Sequence, residues 1–200
     1  MTHALLAALL AVSDAPPPVE PAQSVEAVQE EPEPPPPVWE VYVGANGGMR
    51  VDNTSGGGGV MVGVNRKFFN FLRPELMVAS STYAGRTFDY VIQIRMGARF
   101  ELPLDSPWKP YLWTAFAHNH ESPWTMVVRD PFGHLFGLSN HGVHHRSGID
   151  LGLGVAYEVP RLTKWKIASR IGSRLTFTQF FGDSGPPRYL DFTMTVGVAI

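Results

Sequence analysis

From Phe88 to Glu101 (FDYVIQIRMGARFE) every second residue is apolar: Phe88, Tyr90, Ile92, Ile94, Met96, Ala98 and Phe100. Asp89, Val91, Gln93, Arg95, Gly97, Arg99 and Glu101 fill the positions between them. Side chains along a strand alternate faces, so the run predicts a ribbon apolar on one side and charged on the other. A globular strand averages about five or six residues, whereas a tilted strand crossing a bilayer needs about ten. The length of this run therefore predicts a stave of a transmembrane barrel, apolar toward lipid and polar toward the lumen.

The pattern recurs along the chain. Trp39–Asn46 places Trp39, Val41, Val43 and Ala45 on one face, and Val60, Val62 and Val64 alternate with Met61, Gly63 and Asn65. Glu75–Thr82 offers Leu76, Val78 and Ser80; Tyr111–His120 offers Tyr111, Trp113, Ala115 and Ala117 as an outward set. His145–Val159, Lys164–Thr178 and Leu190–Ile200 each alternate with large aliphatics on one side. The expected fold is all-β, an eight-stranded antiparallel up-and-down transmembrane β-barrel over residues 38–200. Short connections (Phe68–Arg73, Pro103–Pro110, Pro160–Thr163) are expected at one end. Longer ones (Gly47–Gly59, Glu121–Val143, Gly182–Arg188) are expected at the other, with a short one near Ala84–Arg86. Aromatics gather toward strand ends: Trp39, Phe68, Phe69, Phe100, Tyr111, Trp113, Tyr157 and Trp165 at one, and Phe88, Tyr90, Phe177, Phe180 and Tyr189 at the other. They are read as two girdles at the headgroup layers.

The first residues differ in kind. Ala4–Val12 (ALLAALLAV) is too short to span a bilayer as a helix but fits the apolar region of a signal peptide, assigned to residues 1–13. Asp14–Pro37 is rich in Pro and Glu and reads as an extended, disordered acidic tether at residues 14–37. Residues 1–37 hold six acidic side chains and no Lys or Arg, so the remainder keeps 12 of the 18 acidic residues against all 16 basic ones. That mild, dispersed positive balance gives no footing for nucleic-acid binding. With no Cys there is no disulfide framework.

With these strands set out, Val38–Ile200 resembles the small outer-membrane barrels of the OmpA transmembrane domain and OmpX type. The resemblance implies a monomer seated among outer-membrane lipids and lipopolysaccharide of a Gram-negative cell envelope. It also implies insertion by the barrel assembly machinery and no cofactor. That family ends in an aromatic residue, where this sequence has Ile200.

Eight strands enclose a lumen wide enough only for side chains. Inward charges must then pair, and Glu40, Glu75, Asp89, Arg95, Arg99, Glu101, Asp150, Lys166, Arg170, Arg174 and Asp191 are expected to form a plug of ion pairs. His118, His120, His134, His141, His144 and His145 cluster about the longest connection. Imidazole binds Zn, Cu or Ni, so His118, His120, His141, His144 and His145 are metal candidates, but a solvated His-rich loop is the simpler expectation. His145-Arg146-Ser147 is similar to the His-x-Ser pair of the outer-membrane lipid A deacylases, without an acid on the neighbouring strand to orient the imidazole. The expected function is a structural or surface-interaction barrel that presents Glu121–Val143. The alternatives are a lipid A hydrolase using His145 and Ser147, a narrow ion pore, and a secreted lipocalin-like barrel with the apolar face inside.

Overall fold

The computed structural model describes residues 39–52, 54–84, 88–138, 142–160, 168–181 and 188–199. The leader and tether assignments, together with Lys164–Ile167, His141 and Ile200, lie outside the described residues. Eight strands form the wall: β1 (Trp39–Arg50), β2 (Gly56–Arg66), β3 (Leu72–Ala84), β4 (Phe88–Glu101), β5 (Trp108–Pro123), β6 (His144–Val159), β7 (Ala168–Phe180) and β8 (Arg188–Ala199). Each pairs antiparallel with its chain neighbour, and β1 pairs with β8 to close the ring. Two short helices, α1 (Trp124–Arg129) and α2 (Pro131–Leu135), lie in the connection between β5 and β6.

The wall is inverted relative to a soluble barrel. Val41, Val43, Val60, Val62, Leu112, Leu151, Leu153, Leu175, Phe192, Met194 and Val196 are exposed on the outside, while Arg95, Arg99, Arg170, Arg174, Asp150 and Asp191 are buried within. A lipocalin-type arrangement, with the aliphatic set inside, is excluded.

One strand reverses its expectation. On β5, Tyr111, Trp113, Ala115 and Ala117 point inward and are buried, and Leu112 and Phe116 form the outer face. The reason is on the adjacent strand: Tyr111 pairs across from Gly154 and Trp113 from Gly152, so β6 leaves lumen volume that the two aromatic rings fill. The same device joins Tyr42 to Gly63 across β1 and β2. A Cβ on Gly63 would lie 2.2 Å from the Tyr42 hydroxyl oxygen, and one on Gly154 would lie 2.3 Å from Tyr111 Cζ. Gly63→Ala is therefore expected to lose about 1–3 kcal/mol of stability by overpacking. Gly47→Ala, whose Cβ would meet nothing nearer than 3.8 Å, should change little. Urea unfolding in detergent micelles reads the difference.

The glycine-rich stretch expected to be a long loop is mostly strand, since β1 runs to Arg50 and β2 starts at Gly56. Among the described connections only the one after β5 is long. The girdles are revised as well. Tyr111, Trp113, Phe180 and Tyr189 are buried inside, and the outer aromatics at the short-turn end are Trp39, Phe68, Phe69, Phe71, Phe100 and Trp108. Arg66 sits over the rings of Trp39 and Phe68 at 5.2 and 5.0 Å.

Candidate functional sites

The lumen is filled in tiers. At the short-turn end Arg73 Nε donates to Glu101 at 3.0 Å, and Arg170 reaches Glu101 at 2.6 Å and Glu40 at 3.3 Å. Asn65 donates to Glu40 at 3.0 Å and accepts from Arg73 at 3.3 Å. One tier up, Glu75 takes contacts from Arg99, from Arg174 at 2.9 Å and from the Tyr42 hydroxyl at 2.7 Å. The inward aromatics of β5 belong to this tier. The Arg99 guanidinium lies over the rings of Tyr42 and Tyr111, and that of Arg174 lies 4.2 Å from the Trp113 ring centre. Arg95, fully buried, joins Asp150 at 2.9 Å to Asp191 at 3.0 Å, and Asp191 also accepts from Tyr83 at 3.0 Å. At the far end Arg50 binds Asp89 at 2.8 Å, Glu121 and, at 3.0 Å, the Tyr189 hydroxyl oxygen.

The structure thus brings together Glu40, Glu75, Asp89, Arg95, Arg99, Glu101, Asp150, Arg170, Arg174 and Asp191 around the axis; Lys166 lies outside the described residues. It adds Arg50, Arg73 and Glu121, which the sequence pattern puts in connections. Their strands extend further than the hydrophobic pattern does. Such buried charges hold only as a mutually compensated set.

A second cluster lies on the opposite side of the wall. Because β5 is flipped relative to expectation, His118 and His120 face outward, beside Ser147 and His145 of β6; the cross-strand partners are His118 with Ser147 and His120 with His145. His118 Nε2 lies 3.1 Å from His120 Nε2 and 3.4 Å from His145 Nδ1. Ser147 Oγ lies 3.2 Å from the other nitrogen of His118, Nδ1. Ser147, which with His145 makes up the alternative hydrolase pair, shares its hydrogen bond across the strands with His118. His144, next along β6, points to the other face and is outside the cluster.

The connection folds back over this patch. Ser122 Oγ and His134 Nδ1 share a 2.6 Å hydrogen bond, and Tyr90 packs against both Trp124 and His134. Burial, with His120 beside it, pushes the His134 imidazole below its usual value, so the ring is neutral where α2 meets the wall. Ile92, outward by register, is consequently covered and almost fully buried, unlike the other aliphatics of its face.

No protein-family model matches the chain, and neither does any curated protein sequence. Solved structures do. Neisserial surface protein A superposes with a TM-score of 0.57 at 19% identity, over 81% of this chain and 97% of that one. Ail, the attachment invasion locus protein of Yersinia pestis, gives 0.53 at 9%, over 83% and 100%. The outer membrane enzyme PagL gives 0.51 at 10%, over 80% and 99%. The chain has the fold of the small eight-stranded outer-membrane barrels. At these identities the likeness concerns the fold, so the chemistry of the barrel has to come from its own side chains. A serine hydrolase would need a carboxylate on the base imidazole. Among the described residues the second nitrogen of His118 meets only two further imidazoles.

Proposed function

We propose that this protein is an integral outer-membrane barrel with a closed lumen, and that the connection from Trp124 to Val143 is its surface-contact element. The observation that carries the reading is the exposed aliphatic belt around a charge-filled interior. Leu151 and Leu153 are 60% and 64% exposed, while Arg95 and Asp150 are fully buried. Water would penalise that belt over every strand, whereas hydrocarbon accepts it, and the eight strands pair in a closed ring. Aromatic residues at the short-turn end fit a headgroup layer. On the connection, Val128, Phe132 and Phe136 are each about two-thirds or more exposed, a concentration of apolar surface that suits a partner or the outer leaflet.

The expected result is recovery in the membrane fraction, with a gel mobility that changes when the sample is boiled. Recovery from buffer without detergent would overturn the reading. A planar bilayer containing the folded protein should stay electrically silent, because buried charged, polar and aromatic side chains occupy the lumen; steady single-channel steps would refute the closed lumen.

A further inference from the structure

We propose that His118, His120 and His145 form a binding site for a divalent d-block cation of the zinc class on the outer wall, at the base of the connection between β5 and β6. One candidate ligand atom from each of the three lies within 4.8 Å of the others. With zinc–nitrogen bonds of about 2.0–2.1 Å, two imidazole nitrogens on a tetrahedral ion stand about 3.3–3.4 Å apart. The two separations from His118 Nε2, 3.1 Å and 3.4 Å, are close to that edge before any ion is present.

Proton accounting points the same way. An imidazole nitrogen carries either one hydrogen or one lone pair in the ring plane, so His118 Nε2 satisfies one neighbour and not two. A cation at the point of convergence would take a lone pair from each ring. His118 would bind through Nε2, which leaves Nδ1–H to donate to Ser147 Oγ at 3.2 Å, the outer-shell hydrogen bond that orients a metal-bound histidine. His120 is buried on the outer face beneath the connection, where the backbone of His134 and Leu135 meets its ring.

The roof of the cluster is the backbone of Gly137, at φ +67°. A Cβ there would stand 2.6 Å from both His120 Nε2 and His145 Cε1, and so would fill the space where the nitrogens converge. A glycine at that point leaves room for an ion and an external fourth ligand such as water. Because β5 and β6 are the two strands that the connection joins, the ion would staple its base. Three neutral imidazoles without a carboxylate or thiolate suit zinc, copper or nickel rather than calcium or magnesium.

The test is a titration of the folded, detergent-solubilised full chain with Zn2+, paired with Co2+ as a spectroscopic probe. A single tightly held Zn2+ per folded chain is expected, with a visible Co2+ spectrum of tetrahedral type. His145→Ala alters an exposed side chain and should abolish stoichiometric binding, while boiled-gel mobility shows the barrel still closed. Gly137→Ala should also abolish it although no ligand is changed. Ser147→Ala should weaken it about 10–100-fold, and His144→Ala, on the opposite face, should leave it intact. Absence of stoichiometric Zn2+ on the folded wild type, or equal affinity in His145→Ala, overturns the site.

Discussion

Arg95→Met is expected to destabilise the folded barrel by about 3–5 kcal/mol, the usual consequence of removing one partner from a buried ionic set. Methionine keeps roughly the length and volume of the side chain, so packing changes little. What changes is charge. Asp150 and Asp191 lie 2.9 and 3.0 Å from the guanidinium and have no exposed surface. Without it both carboxylates must ionise in an unfavourable medium or take up protons. Arg95→Lys should recover only part of the loss, since one ammonium cannot present the planar fork that bridges two carboxylates. The triple variant Arg95→Met, Asp150→Asn, Asp191→Asn should be closer to wild type than Arg95→Met alone, because removing the whole set removes the uncompensated charge. Urea midpoints followed by the folded band on unboiled gels measure all three. A wild-type midpoint for Arg95→Met would show that this tier does not support the fold.

Leu153→Arg should destabilise the folded state in a bilayer by about 2–4 kcal/mol, the penalty for a cation on the lipid face near the midplane. Leu153 sits between Leu112 and Leu175 in the cross-strand register, at the middle of the aliphatic belt. Leu104→Arg, in the connection at the short-turn end and also exposed, should lie within about 0–1 kcal/mol. The contrast discriminates sharply. In a water-soluble barrel both positions are ordinary surface sites, where substitutions stay within about 0.5 kcal/mol. Equal midpoints for the two variants in lipid vesicles would remove the membrane assignment.

Most of the wall was legible because one physical rule, period-two alternation over long runs, acts on nearly every strand. β4, β6 and β8 show it plainly, and the lumen set follows from it by taking the other face. β5 departs from the expected face for a reason the rule cannot supply. Aromatics near strand ends predict outward anchors, yet Tyr111 and Trp113 occupy lumen space left by Gly154 and Gly152. That space depends on register, a pairing between strands and not a property of either alone. The counter-signal was present in Leu112 and Phe116, an alternative outward pair on the same strand. His118, His120 and His145 stand out in the sequence as metal candidates, but their meeting on one face does not, because His118 and His120 reach His145 only when β5 is turned over. Arg50 and Glu121 were hidden by strand extension: glycines 56–59 and the polar end of β5 resemble loop in composition, while the ladder carries on through them.

Seven of the eight pairings in the ring connect consecutive strands, but the pairing of Glu40 with Ala199 through to Arg50 with Tyr189 connects the first strand with the last. The conformational entropy of circularising the sheet is therefore concentrated at one seam. Until that seam zips, β1 and β8 each present a bare hydrogen-bonding edge, the feature that invites pairing with another chain. Gly44 lies on this seam, and a Cβ there would stand 2.2 Å from the carbonyl oxygen of Met194. A bulkier residue at that point would obstruct the last step of assembly while leaving the hairpins intact, trapping an open sheet with the propensity to aggregate.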